Sequence, residues 1–192
     1  METIEAIDTR RSVRKVTDQA VPKEEIVQIL DAARRAPNHF NTQPWHFTVL
    51  TGEGRNKLGD VYGKANQQNL ESKDKESLEA VYQKGLAKAK RSPVIIVVTA
   101  EPSDKPKVKM TEEIAATACA VENMLLAAHA RGLGAMWRTG DAVYTDTMKQ
   151  NFGISAKGLV IGCVYVGYPE EGNTLRAPAR ASVEEITAWV NE

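Results

Sequence analysis

The sequence predicts a layered domain of α/β or α+β class, and three observations carry that prediction. Strand-like runs at 45–50, 94–99 and 158–167 alternate with helical periodicities at 22–37, 111–131 and 143–152. One of those runs, Val94-Ile95-Ile96-Val97-Val98-Thr99, is continuous and β-branched, as in a central strand covered on both faces. The chain has 192 residues, 42% hydrophobic and 26% charged, which suits one domain over 1–192 with one substantial core. No internal repeat, low-complexity tract or interdomain linker interrupts it.

The elements follow in order. Residues 2–10 read as a short helix with Ile4 and Ile7 on one face. Pro22 opens a stronger helix, in which Ile26, Val27, Ile29, Leu30 and Ala33 keep the amphipathic period. Glu24 and Glu25 suit its positive N-terminal end, and Pro37 stops it. Residues 36–44 are polar and irregular, and 45–50 alternate as a strand. Residues 55–91 read as helical but highly charged, with few large apolar anchors. A Lys/Pro-rich loop at 101–110 leads to a long helix over 111–131. It is Ala-rich and apolar on nearly every face, which requires burial in a core or against another subunit. Gly132 and Gly134 end it, 133–137 form a short strand or turn, and 143–152 are helical. A second apolar strand runs from Gly158 to Gly167 and stops before Pro169, and a last helix covers 183–190.

Composition excludes several functions. Lys+Arg and Asp+Glu are equal at 25, so no long-range field attracts nucleic acid or an anionic membrane surface. Cys119 and Cys163 lie in apolar runs and read as buried reduced thiols, not as a disulfide framework. The acidic start, Met1-Glu2-Thr3-Ile4-Glu5, lacks the apolar stretch of a signal peptide, and no run reaches the ~18 apolar residues of a membrane helix. The expected setting is the cytoplasm. His39, His46 and His129 have no metal-ligand spacing, so no metal is expected. Glu112-Glu113 open a helix and read as partners of its dipole. No nucleophile, acid or base stands out, which suits an enzyme whose reactive group is a cofactor.

Three segments can carry binding. Arg10-Arg11-Ser12-Val13-Arg14 offers guanidinium forks and a hydroxyl suited to a phosphate monoester, with Arg10 and Arg14 on one face if the helix persists. The same cluster also reads as a solvated basic helix end. Two prolines bracket the segment from Arg35 through His39, Asn41 and Gln43 to Trp45. Its amide, imidazole and hydroxyl groups can satisfy the edge of a planar heterocycle, or serve as plain turn residues. The third segment, Gly132 to Asp141, holds Trp137-Arg138-Thr139. Its glycine spacing is not a dinucleotide fingerprint.

Taken together and in this order, these segments resemble the nitroreductase family of FMN-dependent oxidoreductases, in its compact form. The strongest matches are Arg10–Arg14, the stretch from Ala36 through Gln43-Pro44-Trp45 to Phe47, and Gly134–Gly140. The resemblance implies a nitroreductase-like α+β FMN fold: a central, mainly antiparallel sheet flanked by helices, in an entwined homodimer with FMN at the interface. It implies that NADH or NADPH reduces FMN, which then reduces a small acceptor such as a nitroaromatic, quinone or enone. By the resemblance, Arg10 and Ser12 hold the flavin phosphate, with Arg11 in the same segment. Arg14 reaches the ribityl chain or pyrimidine edge. Arg35, His39 and Asn41 approach flavin from the partner subunit, and Trp137, Arg138 and Thr139 run along it. The family often closes on the phosphate with a C-terminal basic pair. Here Arg180 is the favoured candidate and Arg176 the alternative. A non-catalytic flavin sensor, a related flavin reaction such as dehalogenation or dehydrogenation, and an unrelated phosphate binder are the competing readings.

Overall fold

A computed structural model describes residues 1–71, 74–172 and 177–191. Four strands, β1 (Trp45–Thr51), β2 (Val94–Ala100), β3 (Gly134–Arg138) and β4 (Leu159–Gly167), form one sheet in the order β1-β2-β4-β3. Every pairing is antiparallel, which settles the class as α+β. The helices are α1 (Thr3–Thr9), α2 (Lys23–Ala33), α3 (Asn56–Gln68), α4 (Lys75–Ala89), α5 (Met110–Ala130), α6 (Asp146–Phe152) and α7 (Val183–Ile186). None among the described residues is long and apolar enough to cross a membrane.

The sheet is the middle of three layers. Alternate side chains of β2 and β4 point to opposite faces. Ile96, Val98, Val164 and Val166 pack under α2 and α5 with Ile29, Val121 and Met124. Ile95, Val97, Cys163 and Tyr165 pack on the other side with Leu58, Val61 and Met148. All of β2 is buried, as its unbroken β-branched run predicts. At about 1.5–3 kcal/mol for each Val or Ile removed from water, this strand is the main apolar anchor of both layers.

The structure sharpens or departs from the sequence reading in several places. Residues 55–91 are helical, as read, and divide into α3 and α4. Glycine lets their backbones touch: a Cβ on Gly85 would lie 2.2 Å from the Gly63 nitrogen. Close approach packs the two helices on each other, while Leu58, Val61 and Tyr62 anchor them to the sheet. α5 is not buried all round. Ala116, Ala120, Met124 and Ala128 face the core, whereas Ala115, Cys119 and Glu122 are exposed, so Cys119 is not a buried thiol. Cys163 is, and burial pushes its thiol up to about 12, which keeps it protonated and inert. The last helix stops at Ile186 instead of 190. The first stops at Thr9, so Arg10 and Arg14 do not share a helix face.

Candidate functional site

Beyond α1 the chain runs along the open edge of β3. The Val13 N–H donates to the Ala135 carbonyl at 3.0 Å, Ser12 bridges Ala135, and the Thr17 N–H donates to the Tyr168 carbonyl at 2.8 Å. This close approach requires Gly134, where a Cβ would stand 2.7 Å from a Val13 methyl. Arg11 is used locally, donating to the Asp8 and Arg10 carbonyls at 2.7 Å. Arg10 is different. Its Nε is buried without a hydrogen-bond partner, 3.4 Å from a carboxylate oxygen of Glu122 on α5. Nearby, His129 Nε2 and Thr9 Oγ1 are 2.8 Å apart. Thr9 spends its proton on the Glu5 carbonyl, so His129 is the donor. Burial first, then the charges of Arg10 and Arg11, hold His129 below its usual pKa.

Ser12 and Arg14 are exposed, and Arg14 lines a cleft with Arg138, Lys90 and Arg91. In the buried layer beside Arg138 the hydroxyls of Tyr62 and Tyr165 are 3.1 Å apart. The Arg138 guanidinium lies 4.9 Å from the Tyr165 ring centre, and Lys88 Nζ lies 4.2 Å from that of Tyr62. Burial, then Arg138 and Arg91, depress the Lys88 pKa, so the cations crowd one another. Arg14, Lys88, Arg91 and Arg138 form no ion pair among the described residues, and Arg138 Nε is buried without an acceptor. Trp137 next to it is pinned by its indole N–H, which donates to the Ile161 carbonyl at 3.0 Å. Thr139 is exposed just past the strand. Lys88 and Arg91 are additions to the residues foreseen. Only the charge of 55–91 hinted at them, and nothing in the pattern said which cations turn toward β3.

The loop between α2 and β1 is strained. Phe40, Asn41 and Gln43 have φ of 53, 51 and 49°, a left-handed backbone that costs a residue other than glycine about 1–3 kcal/mol, least for Asn. Hydrogen bonds to α5 offset this. His39 Nδ1 is 2.8 Å from a Glu112 oxygen, and the Thr42 hydroxyl donates to Glu113 Oε1 at 2.6 Å. The His39 bond holds Glu112 below its usual pKa. Glu113 is fully buried and also accepts from the Ser103 N–H at 3.1 Å. Glu112 and Glu113 stand in the first turn of α5, as the sequence reading has them, and their side chains also hold the loop.

The foreseen residues thus fall into two groups. Arg10, Ser12, Arg14, Trp137, Arg138 and Thr139 gather along β3. His39 and Asn41 sit apart, against the first turn of α5, and Arg35 is paired with Asp31 at 3.0 Å. Their anchors on α5, Glu112 for the loop and His129 for the N-terminal segment, are about 25 Å apart at a rise of ~1.5 Å per residue. Arg180 is exposed, and among the described residues its guanidinium donates to the Ala179 carbonyl, at 3.5 Å. Arg176 lies outside the described residues. Buried guanidinium nitrogens without acceptors at Arg10 and Arg138 are what an anionic ligand with a polar ring edge satisfies, so the β3 group fits a flavin phosphate and pyrimidine.

Comparison with known proteins identifies the family. The model of the nitroreductase family matches residues 7–168. YdjA of Escherichia coli strain K12, described as a candidate NAD(P)H nitroreductase, is 31% identical over 194 residues, covering 99% of this chain and 98% of that protein. A nitroreductase-like family protein from Bacillus cereus has a crystal structure with a TM-score of 0.85 at 28% identity, covering 100% of this chain and 97% of the other. A nitroreductase from Bacteroides fragilis, solved with bound FMN, gives a TM-score of 0.72 at 26% identity and covers 100% of both chains.

Proposed function

The chain belongs to the nitroreductase family, and from that premise we propose that it is an FMN-dependent NAD(P)H oxidoreductase. The observation that carries this reading is a pair of buried guanidinium nitrogens without a hydrogen-bond partner, one at Arg10 beside Glu122 and one at Arg138 on β3. When bound, FMN supplies the redox chemistry, taking hydride from NADH or NADPH and reducing a nitroaromatic, quinone or enone.

The chain's own residues bind and orient. Arg10 and Ser12 hold the phosphate, with charge-assisted hydrogen bonds and a hydroxyl. Arg14 and Arg138, with Lys88 and Arg91 behind them, present positive charge to the pyrimidine edge, where reduction places negative charge. Trp137, fixed by Ile161, gives the ring an apolar wall. No side chain is assigned a proton transfer.

The site is completed by a second copy. The two groups meet α5 at separate points, His39 at Glu112 and Arg10 at Glu122, about 15 Å apart at ~1.5 Å per residue, and an exposed stripe of Ala115, Cys119 and half-buried Leu126 beside them supports a site shared between two copies. Two α5 helices crossing antiparallel at that stripe bring the loop of one protomer to the β3 edge of the other. The C-terminal arm points to the same assembly. Ile186, Trp189 and Val190 are 73%, 80% and 86% exposed, although apolar. Seated on a partner they would be covered, and Arg180 would be carried toward a flavin phosphate. A cytoplasmic setting, with its NAD(P)H supply, is part of the same proposal.

The test is a visible spectrum of the purified protein, followed by FMN titration. A flavin spectrum and NAD(P)H oxidation with a quinone acceptor are expected. A colourless protein that takes up no FMN contradicts the reading.

A further inference from the structure

We propose that Glu113 is a positioning residue for the flavin site, acting through Thr42 to hold the left-handed loop 39–43 in its working shape. The inference rests on the flavin reading above. Glu113 is fully buried, yet it makes no ion pair among the described residues. A buried carboxylate is costly unless hydrogen bonds satisfy it, so its retention needs a reason beyond packing. Its two oxygens serve two different segments. Oε1 accepts the Thr42 hydroxyl and Oε2 accepts the Ser103 N–H. A carboxylate supplies two acceptors; an amide supplies one and turns a donor toward a donor. Glu113 therefore ties the loop, the segment after β2 and the start of α5 at one point.

The loop needs such a tie. Phe40, Asn41 and Gln43 hold positive φ, and glycine, the residue that adopts it without cost, is absent from all three positions. The side-chain bonds from within the loop close it on itself, as when Asn38 accepts the Gln43 N–H at 2.9 Å. Among the described residues, His39 and Thr42 carry the loop's side-chain hydrogen bonds to α5, and His39 does so on the exposed side. Thr42 makes the inner bond. Released from Glu113, the loop relaxes toward ordinary backbone angles and carries His39 and Asn41 away from the flavin they are proposed to meet.

The test uses the full-length protein with FMN as the probe. Thr42→Val removes the hydroxyl at nearly constant volume, Thr42→Ser keeps it, and Glu113→Gln keeps the size of Glu113. Thr42→Val and Glu113→Gln are each expected to weaken FMN binding by about ten- to a hundredfold. Thr42→Ser should bind like the wild type, and the double variant should be no weaker than the worse single one. For acceptor reduction at saturating FMN, KM should rise in Thr42→Val more than kcat falls, because a displaced loop loses orientation and leaves the reacting group intact. Equal FMN affinity across Thr42→Val, Thr42→Ser and wild type overturns the proposal, as do losses that add in the double variant. A wild-type protein that binds no FMN overturns instead the flavin reading on which it rests.

Discussion

Arg10 carries the most exposed wager at the scale of single residues. Its Nε is buried without an acceptor, so Arg10→Ala removes a charge-assisted contact and should weaken FMN binding by about 1.5–3 kcal/mol, read by fluorescence titration. Glu122 competes for the same guanidinium from 3.4 Å. Glu122→Gln should therefore tighten FMN, by about 0.5 kcal/mol because the pair is partly solvated. His129 reports on the same place. Burial and then the two neighbouring arginines hold its pKa down, and a phosphate that offsets those charges must raise it. NMR titration of His129 should show an upward shift on adding FMN; an unmoved pKa would place the phosphate elsewhere. Arg10, Ser12 and Arg138 draw notice in the sequence because they stand in short runs of suggestive neighbours. Glu113 does not, because its partner Thr42 is 71 residues away and only folding brings them together.

Elements were legible where one residue's neighbours decide its burial. β2 and β4 announce themselves through β-branched runs, and α2 through its apolar period. The α3–α4 pair stayed obscure because its packing depends on small residues that leave no hydrophobic signal. Gly85→Ala tests that account. Its methyl would collide with the Gly63 backbone, so urea unfolding should show a loss of about 1–3 kcal/mol or more. Stability unchanged by the substitution would mean that the two helices are not held at that crossing. α5 was read correctly as a helix, and its apolar surface as needing either a core or a partner. The structure places one face in the core and leaves the Ala115–Leu126 stripe at the surface, where the proposed partner would cover it.

At the scale of the whole molecule, the family resemblance supplied what pattern alone left open between α/β and α+β. The antiparallel order β1-β2-β4-β3 then decided it. The same scale explains why the candidate site looks divided in one protomer. Leu126→Glu, placed in the α5 stripe, should convert a dimer to a species near 21.1 kDa in light scattering and release FMN with it. The most direct measurement mixes two defective chains. Arg10→Ala damages the β3 half of the site, and Asn41→Gly, which keeps the positive φ, damages the loop half. Differently tagged and co-expressed, they form heterodimers in which both lesions fall in one site and the other site is intact. The account predicts that purified heterodimers hold about half the FMN of wild type, more than either variant alone. FMN content no higher than that of the parent variants would show that each site is built within a single chain.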